Sequence, residues 1–219
     1  MTYYQKTNLP QHPLKLPITQ ELLDWHSTPN VESYSIWEQD ILSDELLTIF
    51  NNLNVKVKNC IFFCAHDNFK KAESRIIHSD IFLNSDTMTW ENHICGINWE
   101  LTENKNEFLW WNTTELEKFY PEMESKSTKQ NKKESRLTGI HYGKRENNGI
   151  PIGAVLLDST QIDLPTLVRT DVAHTVSYDR QPNDSNIYNF NTRMSLSVRF
   201  IPQWTTWDEA CKFFKNIIL

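Results

Sequence analysis

The stretch "RMSLSVRF", residues 193–200, decides the fold. It alternates without a fault: Met194, Leu196, Val198 and Phe200 fall on one side, Arg193, Ser195, Ser197 and Arg199 on the other. A period of two marks a β-strand whose faces meet different surroundings. The apolar face calls for a partner packed outside the sheet. The closing segment "TWDEACKFFKNIIL" (206–219) offers one, with Thr206 and Glu209 in a capping-box pattern ahead of Phe213, Phe214 and Ile217. The arginine-serine face then looks either into water or into the interior between two layers. An interior arginine needs an anion, and a guanidinium fork with a serine two residues on is suited to hold a carboxylate.

Upstream the texture is the same. "VKVKNCIFFCA" (55–65), "RIIHSDIF" (75–82), "HICGINWEL" (93–101), "NEFLWWNT" (106–113), "LTGIHYG" (137–143), "GAVLLD" (153–158) and "PTLVRTDVAHTVSY" (165–178) are short runs rich in β-branched and aromatic residues, parted by polar turns. Eight or so such strands predict a mainly β chain, a double-sheet jelly roll or related barrel with flanking helices. "SDELLTIFNNL" (43–53) opens on an N-cap residue and spaces Leu46, Leu47, Phe50 and Leu53 along one helical face. One domain is expected over 1–219: a core at about 54–203, an N-terminal wrap over 1–53 with a short helix in "TQELLDWH" (19–26), and a C-terminal helix at about 206–219. "EMESKSTKQNKKESR" (122–136) has no apolar residue beyond Met123 and is expected to be a loop or lid.

Composition narrows the function. Lys and Arg number 22 against 28 Asp and Glu, a net charge of -6, so a phosphate backbone finds no electrostatic support and no nucleic-acid partner is expected. The amino-terminal residues lack a basic start followed by an apolar run, and no window is long and apolar enough to span a bilayer, so a cytoplasmic protein with no membrane partner is expected. With 5 glycines there is no GxGxxG and no P-loop. Cys60, Cys64 and His66 share one face of a strand, but their spacing is not a common zinc pattern, and buried thiols are the expectation for the four cysteines. Trp110 and Trp111 point to opposite sides of their strand, one expected in the core and the other against a substrate pocket.

In "SRIIHSDIF" (74–82), strand alternation puts His78 and Asp80 on the same side. Residues of these types at this spacing occur by chance, and a solvated polar face is the plain alternative. His174 sits among Val172 and Val176, where a lone histidine is more often a packed core residue. Two imidazoles and one carboxylate on one triangle are nevertheless the ligand set of a facial iron(II) site, and His78, Asp80 and His174 are of the right types.

Taken together, "HSD", "GINWELTENKNEFLWW", "PTLVRTDVAHTVSY" and "RMSLSVRF" resemble the iron(II)- and 2-oxoglutarate-dependent oxygenases of the double-stranded β-helix (jelly-roll, cupin-like) fold, over about residues 75–200. The resemblance implies that His78, Asp80 and His174 bind Fe(II), and that Arg193 with Ser195 holds the far carboxylate of 2-oxoglutarate. One departure stands out: "DRQPNDSNIYNFN" (179–191) lengthens the hairpin between His174 and the arginine. A tip insertion leaves strand register intact, so Arg193 is kept, with Arg199 on the same face as the fallback. Asn98, sharing a face with Gly96, is a candidate hydrogen-bond partner of cosubstrate or substrate. Members of the family that halogenate carry a small residue where this chain has Asp80, so the resemblance implies hydroxylation or desaturation, with dioxygen as co-reactant. The substrate classes left open are a small molecule, an amino acid or a protein side chain. Two rivals are a β-helix binding domain without turnover and a cupin-like metal enzyme that needs no 2-oxoglutarate.

Overall fold

A computed structural model of the chain describes residues 2–15, 34–65, 77–84, 89–101, 107–120, 138–143, 150–176, 193–201 and 203–219. Thirteen strands are described: β1 (Tyr4–Lys6), β2 (Tyr34–Trp37), β3 (Val57–Ala65), β4 (His78–Asn84), β5 (Thr89–Asn92), β6 (Cys95–Glu100), β7 (Glu107–Asn112), β8 (Lys118–Phe119), β9 (Thr138–Tyr142), β10 (Val155–Gln161), β11 (Thr166–Arg169), β12 (His174–Val176) and β13 (Arg193–Phe200). The helices among these residues are α1 (Asp44–Asn52) and α2 (Trp207–Phe213), with a short 3-10 turn at Gln39–Ile41. The short helix expected at 19–26 and the loop at 122–136 lie outside the described residues.

The strands form two antiparallel sheets. One runs β1-β11-β6-β13-β3-β2; the other runs β10-β7-β12-β4-β9-β8, with β5 added on β4. In the first sheet β13 is central, paired with β3 on one side and β6 on the other. Its two faces divide as the alternation predicts. Leu196, Val198 and Phe200 pack outward in one buried cluster with Leu46 and Phe50 of α1 and with Trp207, Ala210 and Phe214 at α2. The cross-strand row Arg199, Gly96 and Val168 faces the other way, and Val168 packs there on Phe108 and Trp110 of the second sheet. The helices therefore cover one face of the first sheet, and the polar face of β13 is enclosed between the sheets, where Ser195, Ser197 and Arg199 are all buried.

Both helices start where their capping residues say they should. The Ser43 side chain accepts a hydrogen bond from the Leu46 N–H, and the Thr206 side chain accepts one from the Glu209 N–H. The closing helix is shorter than the sequence suggests. It ends at Phe213, and the chain turns so that Ile218 bridges Thr7 beside β1. The N-terminal residues read as a wrap also contribute strands, β1 at one edge of the first sheet and β2 at the other.

The run 165–178, read as one long strand, is two. β11 pairs with β6 in the first sheet, whereas β12 pairs with β4 and β7 in the second. The chain crosses between sheets at Thr170, whose N–H donates to Ile94 O at 3.0 Å and whose hydroxyl donates to His93 O at 2.6 Å. Asp171 ion-pairs with Arg169 at 2.8 Å across the same bend. Alternation cannot reveal such a break, because both pieces are apolar enough to be buried strands. The crossing carries His174 into the sheet that holds His78. Both tryptophans of the "WW" pair are packed: Trp110 lies inward against Phe108 and Val168, and Trp111 outward with Ile77, Ile81 and Tyr142.

Candidate metal centre

Three side chains meet on the inner face of the second sheet. His78 and His174 are direct cross-strand partners on β4 and β12, so their rings lie side by side, with centroids 4.5 Å apart. Asp80, two residues along β4, points the same way. Its N–H donates to the carbonyl of Thr170 at 2.8 Å, which ties this carboxylate to the crossing that delivers His174. Oδ1 of Asp80 stands 3.7 Å from Nε2 of His78 and 3.9 Å from Nε2 of His174, and the three ligand atoms all lie within 4.8 Å of one another. The three residues singled out in the sequence are thus brought together.

The protonation pattern suits a cation. Nδ1 of His174 lies 2.9 Å from the carbonyl of Val172, an oxygen that only accepts, so Nδ1 carries the proton and Nε2 presents its lone pair to the cluster. Burial, with His78 alongside, pushes His174 down to about 3, so its imidazole is neutral at physiological pH. Burial pushes Asp80 the other way, but the surrounding cationic groups, Arg199 first, outweigh it and hold the carboxyl at about 2. With His174 neutral, Arg199 is the lasting source of that depression. A carboxylate oxygen, the His174 lone pair and the His78 imidazole therefore converge, with Asp80 Oδ1 too far from either ring for a hydrogen bond. Three such donors could hold a metal ion and would leave coordination positions for exogenous ligands.

The walls are unequal. On the buried side Phe108 stacks on His174 at 4.9 Å, and Trp110, in register with His174, donates from Nε1 to Arg169 O at 2.8 Å while Tyr3 and Tyr4 stack on it. On the other side His78 pairs with His141 and Asp80 with Gly139, and His141 pairs with Phe119. His141 and Phe119 are exposed, and the His78 side chain is 37% exposed. The row Trp110, His174, His78, His141, Phe119 thus runs from the core to the surface, and the centre opens towards β9 and β8.

Opposite, the inner face of β13 supplies the polar roof. Arg199 is buried and places Nη2 2.6 Å from Oδ2 of Asp80. Ser197 donates to Oδ1 of Asn98 at 2.5 Å, and Ser195 is buried further along. The backbone of Arg193 lies in β13, six residues from Arg199 and on the same face; its side chain lies outside the described residues. The candidate cosubstrate residues Asn98, Ser195 and Arg199 therefore share the enclosed space with the metal ligands.

Two further histidines, His93 and His141, lie close to the three. His141 is found in register beside His78. His93 is buried, its N–H donates to Asp80 O at 3.0 Å, and burial, with Arg199 nearby, holds it down to about 3. It stands between β6 and β5, a short strand that the sequence does not announce. Cys60, in the outward cluster, is a buried thiol pushed up to about 12 by burial; the side chain of Cys64 and His66 lie outside the described residues. Among the described residues no helix is long and apolar enough to cross a membrane. Comparison with protein-family models, with curated proteins and with solved structures gives no match.

Proposed function

We propose that the protein is a non-haem iron(II)- and 2-oxoglutarate-dependent dioxygenase of the double-stranded β-helix kind, hydroxylating a small molecule, an amino acid or a protein side chain. The observation that carries this reading is the convergence of His78, Asp80 and His174 on one point beneath an enclosed, polar strand face bearing arginine and serine. In this reading His78 Nε2, Asp80 Oδ1 and His174 Nε2 hold the iron. The fixed tautomer of His174 and the ionised state of Asp80 leave both ready to bind without first losing a proton.

The inner face of β13 carries the residues that would hold the cosubstrate. Arg199 is committed to Asp80 beside the metal, so Arg193, further along the same face, keeps the role of anchor for the far carboxylate, with Ser195 and Asn98 between. When bound, iron and 2-oxoglutarate supply dioxygen activation and the oxidising power to hydroxylate an unactivated C–H bond. The protein's share is to orient both carboxylates, to exclude water with Phe108, Trp110 and the tyrosines stacked on it, and to admit substrate past His141 and Phe119.

Anaerobic titration with iron(II) and then 2-oxoglutarate tests this. A weak visible charge-transfer band is expected in the wild type and is expected to be lost or weakened in His174→Ala and Arg193→Ala. Iron binding with no band would favour a cupin-like metal enzyme without 2-oxoglutarate. No iron binding at all would reduce His78 and Asp80 to a polar face.

A further inference from the structure

We propose that Arg199 is a positioning residue of the metal centre: by holding Oδ2 of Asp80 it presents Oδ1 alone to the ion, and Gly96 is the seat this arrangement needs. The inference rests on the metal reading of His78, Asp80 and His174 and goes beyond it, because neither Arg199 nor Gly96 is a ligand.

Asp80 has two oxygens facing different ways. Oδ1 looks at the two imidazoles, at 3.7 and 3.9 Å, and Oδ2 at Nη2 of Arg199, at 2.6 Å. The two side chains are 10% and 5% exposed, so water does not compete for either. A buried ion pair contributes little net stability compared with apolar residues of similar volume. What it supplies here is direction: a carboxylate free to rotate would turn both oxygens onto a metal, whereas one clasped from behind offers a single oxygen and keeps another coordination position open.

The clasp depends on Gly96. Arg199 and Gly96 are cross-strand partners on β13 and β6, and the arginine side chain passes close over the glycine. A Cβ on residue 96 would stand 2.6 Å from Nη1 and 3.1 Å from Cδ of Arg199, closer than side chains tolerate, while the nearest backbone atom, Val198 O, would be 3.1 Å away. The tightest obstacle to a side chain at 96 is therefore Arg199, with the Val198 carbonyl oxygen a second, looser one. Glycine within a strand often marks such a close approach. The two residues act as one device, with Gly96 working only through Arg199.

A double-mutant cycle on the full-length, chelator-treated protein tests this, using cobalt(II) as the probe and reading both affinity and visible absorption. Removing the arginine's charge would by itself strengthen attraction for a dication, so Gly96→Ala, which keeps that charge, is the decisive arm. Gly96→Ala is expected to bind cobalt about tenfold more weakly, the scale of losing an outer partner of a ligand, with an absorption spectrum changed in the same sense as that of Arg199→Met. In the Arg199→Met background the added methyl keeps only its contact with the Val198 carbonyl and is expected to change affinity far less. If Gly96→Ala behaves as wild type, or weakens binding equally with and without Arg199, the inference is overturned. Should Gly96→Ala fail to fold, Arg199→Lys carries the test: it keeps the charge but loses the planar fork, and a spectrum identical to wild type would sink the proposal. A wild-type protein that takes up no cobalt removes the metal reading itself, a result distinct from every variant outcome.

Discussion

Asp80 serves two partners with one carboxylate, and its pairing with Arg199 also governs the metal-free state. In the absence of an ion, Arg199 is the closest cation to a buried charge. Asp80→Asn leaves the guanidinium buried without a counter-charge and is expected to destabilise the metal-free protein by about 3–5 kcal/mol. The double variant Asp80→Asn with Arg199→Met should recover most of that loss; urea unfolding in a chelating buffer measures both. A smaller effect is predicted for Gly139→Ala, whose Cβ would stand 3.2 Å from His78 Cβ and from Ser79 O and 3.3 Å from His78 Cδ2: the His78 side chain must give by a few tenths of an ångström, and a few-fold loss of cobalt affinity is expected by titration. Residue types and alternation made His78, Asp80 and His174 legible in the sequence. The true partner of Asp80 was not, because nothing local distinguishes Arg193 from Arg199 on the same strand face. The choice is made by a contact across the two sheets between residues 119 positions apart in the chain.

At the scale of elements, β13 was legible for a physical reason: a strand wedged between an apolar layer and a polar interior has to alternate, and the alternation reports both neighbours at once. β11 and β12 were not separable, since each is too short to show a period and the bend between them is fixed by the contacts of Thr170 with a distant segment at His93, beside the local Arg169–Asp171 ion pair. Helix α2 supplies the apolar neighbour of β13. Phe214, fully buried at its C-cap, packs on Phe200 at 5.3 Å and Trp204 at 5.1 Å. Phe214→Ala is expected to cost about 3–5 kcal/mol through lost burial and the cavity left behind. Thr206→Ala, which removes only the cap, should cost about 1 kcal/mol. Neither residue touches the inner face of β13, so cobalt affinity of the folded variants is expected to stay within twofold of wild type. A large loss of affinity in Thr206→Ala would mean that the outer layer sets the inner geometry more closely than the separation of faces implies.

For the molecule as a whole, placing imidazoles between two sheets couples the centre to acid stability. His93 and His174 are both held down to about 3 in the folded state, with burial as the leading cause, whereas an unfolded histidine titrates near pH 6.5. Between those values the unfolded chain binds protons the native state refuses, so stability falls as pH falls, by about 1.4 kcal/mol per pH unit for each group. Asp80 has the opposite character. Its folded value of about 2 lies below the ordinary carboxyl range, so its contribution is fully present above about pH 4 and is lost only as pH drops towards 2. The first acid loss is therefore the histidines', not the carboxylate's. The metal-free protein is expected to lose about 4 kcal/mol between roughly pH 7.5 and 5, read from urea midpoints. His93→Leu should roughly halve that slope while leaving His174 to supply the remainder. Saturating cobalt should raise stability across the range, because the ion binds the folded arrangement of ligands and not the unfolded chain. A metal-free stability that stays flat over this range would contradict neutral, buried imidazoles, and with them the electrostatic basis on which the centre accepts a cation.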